Sequence, residues 1–215
     1  MRKMVFLITL LLLFSGVVCA HRPIFVVDSD PVKLANPDIS WAIYSDLEGG
    51  EVDYYQFQVS EQGLDFFTQL LVPTRKEYED FRPTVALIGP GLPSAPNQEL
   101  PFTIPQGSGA IVLPWQQKQV FFEPFTQTRY YMAEEMRRNL SPGTWRLAVY
   151  HPQNQGGKYT LTVGEREEWS WKDILSFPVM WFKTRWWYSP GQTIAIMLAG
   201  ITLLALVIWF IRRRA

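Results

Sequence analysis

The sequence holds two histidines, His21 and His151, and their positions define the sharpest chemistry it could perform. Residues 1–20 read as a cleavable leader, so a cut after Ala20 makes His21 the first residue of the mature chain. His21 then offers an α-amino group and an imidazole, and His151 a second imidazole. Three nitrogens in a plane suit Cu(II), with Tyr44 or Tyr150 as a neighbouring tyrosine. The set works only if the nitrogens converge within about 2.1 Å of one point. The plainer reading makes His21 first by accident and His151 a loop residue beside Pro152. A second candidate is calcium. Asp46, Glu48, Glu51 and Asp53 flank one turn, and Asp28, Asp30 and Asp38 lie close together in sequence. Hard carboxylate oxygens suit Ca²⁺, although no EF-hand spacing is present. Acidic side chains around a turn are also what a solvated turn looks like.

Other catalytic signatures are missing from the sequence. A serine hydrolase would need His151 beside an activated serine. There is no Gly-x-Ser-x-Gly elbow, and Gly107-Ser108-Gly109 reads as a loop. No His-Glu-x-x-His, Cys-x-x-Cys, P-loop or Gly-x-Gly-x-x-Gly occurs. Cys19 is the single cysteine and falls inside the leader, so the mature chain would carry neither a thiolate nor a disulfide. The residues therefore predict a protein that is not an enzyme. Copper and calcium are the two candidate cofactors.

Both ends of the chain predict where these groups are held. Arg2 and Lys3 precede an apolar run from Met4 to Phe14, then Ser15-Gly16 and Val18-Cys19-Ala20, which is the order of a secretory signal over 1–20. Residues 192–211 form an apolar stretch long enough to cross a bilayer and are followed at once by Arg212, Arg213 and Arg214. The arginines stay on the cytoplasmic side, and the signal independently exports the middle of the chain. The expected layout is a cell-membrane protein with one pass. Its exported domain covers 21–166, on the periplasmic or extracellular side, and its tail (212–215) is cytoplasmic. Between domain and span, residues 167–190 carry five of the nine tryptophans. Trp169, Trp171, Trp181, Trp186, Trp187 and Tyr188 predict a membrane-interface segment, since indole rings favour the headgroup region. Lys172, Lys183 and Arg185 would meet anionic lipid. The segment reads as one or two amphipathic helical pieces on the membrane surface, broken at Pro178, with Pro190-Gly191 turning the chain into the span.

The exported domain reads as all-β. Runs at 39–45, 52–59, 64–72, 84–88, 110–113, 120–122, 144–150 and 158–163 are apolar or alternating and end in Gly or Pro signals. Tyr55, Phe57 and Val59 share one face, as do Trp145, Leu147 and Val149, and Tyr159, Leu161 and Val163. Glu48 to Glu51 reads as a turn and His151 to Gly157 as a hairpin loop. A turn at 75–80 and an amphipathic helix at 128–139 are the only helical expectations. Residues 89–109 read as a long ordered surface loop. Strands at this spacing predict a β-sandwich with jelly-roll or Greek-key connections.

The stretches Asp53-Tyr54-Tyr55-Gln56-Phe57-Gln58-Val59, Pro142-Gly143-Thr144-Trp145-Arg146-Leu147-Ala148-Val149 and Gly157-Lys158-Tyr159-Thr160-Leu161-Thr162-Val163 resemble the bacterial pre-peptidase C-terminal β-sandwich. They match its D-x-Y-x-F-x-V strand, its G-T-Y strand and its closing G-x-Y-x-L-x-V strand. The resemblance covers about three strands and implies a secreted accessory module, of a kind that in some members binds calcium or carbohydrate. Residues 73–142 depart from it. The layout as a whole is similar to that of uncharacterised single-pass bacterial membrane proteins. The His21–His151 arrangement looks like the histidine brace of copper oxygenases and periplasmic copper carriers.

Charge sharpens the choice of partner. The chain has a formal net charge of zero, yet residues 21–168 hold 12 basic and 19 acidic side chains. An acidic domain between basic ends has no face to neutralise phosphates, which argues against nucleic acid. The expected partners are membrane lipid and another membrane or envelope protein. The sequence thus predicts a non-catalytic, membrane-anchored binding or accessory protein. A copper-handling protein and a calcium-stabilised glycan-binding module are the alternatives.

Overall fold

The computed structural model describes residues 21–26, 31–94, 100–115 and 119–214. The leader over 1–20 with Cys19, and the candidate ligands Asp28 and Asp30, lie outside the described residues.

Eleven strands and two helices make up the described chain. The strands are β1 (Arg22–Phe25), β2 (Val32–Lys33), β3 (Trp41–Leu47), β4 (Val52–Val59), β5 (Leu64–Pro73), β6 (Thr84–Pro90), β7 (Ser108–Leu113), β8 (Gln119–Glu123), β9 (Thr128–Leu140), β10 (Gly143–Tyr150) and β11 (Gly157–Val163). They form a six-stranded sheet in the order β1-β3-β11-β5-β9-β8 and a five-stranded sheet in the order β2-β4-β10-β6-β7. The sheets face each other as a β-sandwich. Tyr55, Phe57, Trp145, Leu147, Tyr159 and Leu161 meet in its core, each at most 2 % exposed. Period-two alternation places them there, because successive side chains of a strand leave on opposite faces. Residues 76–78 make the short 3-10 turn expected near 75–80.

Three local readings are corrected. Residues 128–139 are not a helix but most of β9, paired to β5 and β8. The helical spacing in the sequence comes from a bulge. β9 advances from Met132 to Glu135 while β5 advances only from Leu71 to Gln69. That extra residue shifts the alternation, so Ala133, Met136 and Leu140 all reach the core at steps of three and four. Residues 151–157 are not a hairpin loop, because β10 belongs to the five-stranded sheet and β11 to the six-stranded one. The 48–51 turn likewise carries the chain from one sheet to the other. The two crossovers pack together on glycine: a Cβ at Gly49 would lie 2.8 Å from the Asn154 carbonyl oxygen. The third correction concerns Pro178, which sits inside an unbroken helix.

β1 and β2 had no sequence signal. Each is short and pairs in parallel with a strand further along the chain, β1 with β3 and β2 with β4. Leu100, Phe102 and Ile104 fold back over the outer face of the five-stranded sheet onto Ala86, Ile88 and Tyr150.

Helix α1 (Trp171–Tyr188) follows the sandwich and helix α2 (Pro190–Arg214) ends the chain. Ser170 and Asp173 start α1 as a reciprocal capping box. Between the helices Ser189 is extended (φ −161°, ψ 97°), and Pro190 opens α2, where its missing N–H costs nothing. The bend therefore falls one residue before Pro190-Gly191. The most apolar 18-residue window of Pro190–Arg213 in α2 has a mean hydropathy of 2.8. At 1.5 Å per residue these 24 residues are long enough for a hydrocarbon core of about 30 Å.

Candidate functional site

The described structure does not bring the two histidines together. His21 immediately precedes β1, whose Arg22 pairs with Trp41 at the start of β3. The His21 ring meets the Ser40 hydroxyl. His151 begins the crossover that packs beyond Leu47, at the other end of β3, where Gly157 pairs with Leu47. Six residues of strand separate the two positions, roughly 20 Å at 3.3 Å per residue. His151 is buried, stacks on Phe81 with centroids 5.3 Å apart, and accepts on Nδ1 from the backbone N–H groups of Gln153 and Gln155. Burial lowers its pKa below the ordinary imidazole value. Its ring organises a loop, and the two imidazoles do not converge in the described structure.

The acidic candidates also separate. Asp46, Glu48 and Glu51 are exposed, while Asp53 points the opposite way, into the core. There its Oδ2 accepts from the Ser45 hydroxyl at 2.9 Å and the Tyr159 hydroxyl at 2.5 Å. Tyr55 shares a 2.6 Å hydrogen bond with Tyr159. Alternation explains the split, since Asp53 lies two residues from Tyr55 and four from Phe57, on the same face of β4. Among the described residues no group of three or more His, Cys, Asp or Glu side chains is arranged to hold a metal ion. The Asp53 network is a structural device: a buried carboxyl group whose Oδ2 is held by two hydroxyl donors.

The Trp-rich segment is where residues far apart in sequence converge. Arg185 is 5 % exposed and donates from Nη1 to the carbonyls of Thr126 (2.9 Å) and Gln127 (3.1 Å). The Tyr188 hydroxyl donates to the Arg129 carbonyl at 3.0 Å, and its ring meets Tyr130 edge-on. Lys158 donates to the Trp187 carbonyl at 2.7 Å, while Tyr44 meets the Trp187 ring. At the other end Arg22 bonds both Asp173 oxygens, at 3.2 and 3.3 Å. One face of α1 is thus clamped to the outer face of the six-stranded sheet.

The opposite face of α1 is apolar and uncovered. Trp171, Leu175, Val179, Phe182 and Trp186 follow one another at steps of four, four, three and four, a single helical stripe. Trp171 is 67 % exposed and Leu175 69 %. Lys172 and Lys183 flank the stripe and are exposed. The six residues expected at the interface therefore divide. Trp171 and Trp186 face outward, Tyr188 is buried, Trp187 packs on Tyr44, Trp169 packs on Phe177, and Trp181 is half-buried. Arg185, expected at lipid, instead serves the sheet, because two backbone carbonyls in the turn between β8 and β9 need a donor.

No family model matches the sequence, and no curated protein does. Among solved structures the chain is similar to the pre-peptidase C-terminal domain of a collagenase from Bacillus anthracis. Identity is 17 %, coverage is 64 % of this chain and 98 % of that one, and the TM-score is 0.37. It is also similar to the periplasmic inhibitor of g-type lysozyme from Salmonella Typhimurium, at 13 % identity and TM-score 0.31, covering 67 % and 98 % of the two chains. The first belongs to the family that the strand motifs resemble. Neither likeness extends to a ligand or an activity.

A second surface was missed by sequence reasoning. A groove of about 660 Å³ lies between residues 33–38, the end of β4 and the turn into β5. Its walls include Lys33, Asn36, Asp38, Gln56, Gln58 and Gln62. None of these residues forms a motif, so only the run of amide side chains over 56–62 could have drawn notice.

Proposed function

We propose that this chain is a non-catalytic accessory domain held flat against the outer face of a membrane, with α2 as its single span and the arginine tail inside. The observation that carries the reading is the two-faced α1. One face is clamped to the sandwich by Arg185, Lys158 and Tyr188, and the other leaves Trp171, Leu175, Val179, Phe182 and Trp186 bare. A stripe of this size is costly in water and favourable at a lipid surface. It ends four residues before the start of α2, and Lys172 and Lys183 stand beside it at the level of lipid phosphates. In this arrangement α1 is a floor between sandwich and bilayer, and the five-stranded sheet looks outward toward partners in the envelope.

The test is site-specific labelling in a Cys19→Ser background. Leu175→Cys and Glu61→Cys are labelled with an environment-sensitive dye in lipid nanodiscs. The label at 175 is expected to be quenched by spin-labelled lipid, and the label at 61 by iodide alone. Iodide quenching of both labels, with no lipid quenching at 175, refutes the floor. In intact cells an impermeant thiol reagent should modify Glu61→Cys; protection of that residue refutes the orientation.

A further inference from the structure

We infer that the groove beside β4 is a strand-addition site, which takes an extended segment of another polypeptide onto the free edge of β4. The inference rests on the reading of the sandwich as a binding module, but not on its membrane contact.

The argument begins with backbone directions. β2 runs parallel to β4 but pairs only with Tyr55 and Gln56. The last bond on that side is from the Leu34 N–H to the Gln56 carbonyl, at 2.8 Å. The N–H and C=O of one residue in a strand point to the same side, and those of the next residue point to the other. Gln58 therefore aims both backbone groups toward the side where β2 has already left. The pairing with β10 agrees. Gln58 lies opposite Thr144, and their side chains hydrogen-bond at 2.8 Å, as in a pair whose own backbone bonds turn away from each other. Among the described residues no strand takes up that edge beyond Gln56.

The far wall is built to stand off. Where β2 leaves the edge, the chain is tied to other partners instead of collapsing onto Gln58. The Asn36 carbonyl accepts from the Ile39 N–H and from the Trp41 indole. The Asp38 carbonyl accepts from the Arg166 N–H, and the Asp38 carboxylate binds the Arg166 guanidinium at 2.7 Å. Leu34 anchors the base of the wall in the core. The result is an open slot of about 660 Å³ with a donor and an acceptor from one residue along one side. Natural sheets normally blunt or cover such an edge. A prebuilt slot with a paired donor and acceptor fits the backbone of an extended peptide, which offers the reciprocal pair. Asn36 and Gln62 also line the slot.

The experiment uses the full chain in nanodiscs and a phage-displayed library of random seven-residue peptides. Peptides enriched on the wild-type chain are resynthesised and titrated against two variants. Gln58→Pro removes the one free N–H and leaves the ladder to β10 intact, because that N–H is not part of it. Gln58→Ala keeps the backbone and removes the side chain. Binding is expected to weaken about five- to tenfold with Gln58→Pro and to stay within about twofold with Gln58→Ala, the loss of one net hydrogen bond. N-methylation of alternate peptide residues on the unaltered chain should abolish binding and covers the case in which Gln58→Pro does not fold. Failure to enrich any peptide overturns the inference, as does binding indifferent to both Gln58→Pro and N-methylation. A mixed neutral oligosaccharide that binds the groove and is lost with Gln58→Ala overturns it in favour of a glycan. None of these outcomes bears on the lipid quenching at residue 175.

Discussion

Arg185 donates its guanidinium to the carbonyl of Thr126 at 2.9 Å, across 59 residues of sequence. That bond joins α1 to the turn between β8 and β9. Both partners are buried, so the bond is shielded from solvent competition.

Arg185→Ala should therefore free α1 without unfolding the sandwich. Two carbonyls lose their donor, a cost of about 1–3 kcal/mol in the docking of α1. Hydrogen exchange should rise over 126–129 and 181–188 and stay unchanged over β4 and β10. An equal rise over the whole domain would mean that α1 belongs to the folding core.

Asp53→Ala strands the hydroxyls of Ser45 and Tyr159 in the core. The expected loss is about 2–4 kcal/mol in urea unfolding, and Tyr159→Phe should cost a comparable amount, because it takes one donor from Asp53 and unpairs the Tyr55 hydroxyl. Burial, reinforced by Asp53, pushes the pKa of Tyr55 and Tyr159 above the ordinary phenol value. A raised folded pKa means that the native state holds its proton more tightly. Stability is then full below about pH 10 and falls above it, as the unfolded tyrosines ionise. Alkaline urea titrations should show that onset, and ultraviolet difference spectra should show no phenolate from these residues before unfolding.

His151 sets the acid side. Its pKa is lowered by burial, so the unfolded state takes up the proton first. Stability should be constant above the unfolded value of about 6.5 and decline as pH falls below it. Protonation also removes the Nδ1 lone pair that accepts from Gln153 and Gln155. Urea midpoints between pH 7.5 and 5.5 should slope downward in the wild type and less steeply in His151→Gln, the remaining slope belonging to His21, whose pKa burial also lowers.

Gly89 stands under the ring of Trp145. A Cβ there would come within 2.2 Å of the ring, which is fully buried and held by an indole bond to the Ser141 carbonyl. Gly89→Ala should lower stability by about 1–3 kcal/mol through overpacking. In thermal melts the double variant with Trp145→Phe should recover part of that loss, and a purely additive result would place the strain elsewhere.

Much of the sandwich was legible because strands announce themselves locally. Alternation marks β4 with its bounds and groups Trp145 with Leu147, and Tyr159 with Leu161, each pair on one face, which the fold then buries. β9 was misread because its bulge imitates a helical period at Ala133, Met136 and Leu140. β1 and β2 were missed because two to four residues carry too little pattern. The candidate sites fared worse. Asp53 looked like a ligand beside Glu51 but points into the core, and Arg185 looked like a lipid contact but binds carbonyls.

The order of amino acids determined what depends on near neighbours: the alternation of the strands, the apolar length of α2, the capping of α1 and the separation of charge between domain and ends. Tertiary structure decided what depends on distant partners. It sent β10 and β11 to different sheets, set His21 and His151 at opposite ends of β3, turned one face of α1 to the sheet and left the edge of β4 open at Gln58. The physical reason is that a strand or amphipathic helix encodes which face must be buried but not against what. That choice is made by backbone pairing and packing between segments far apart in the chain, where no local spacing records it.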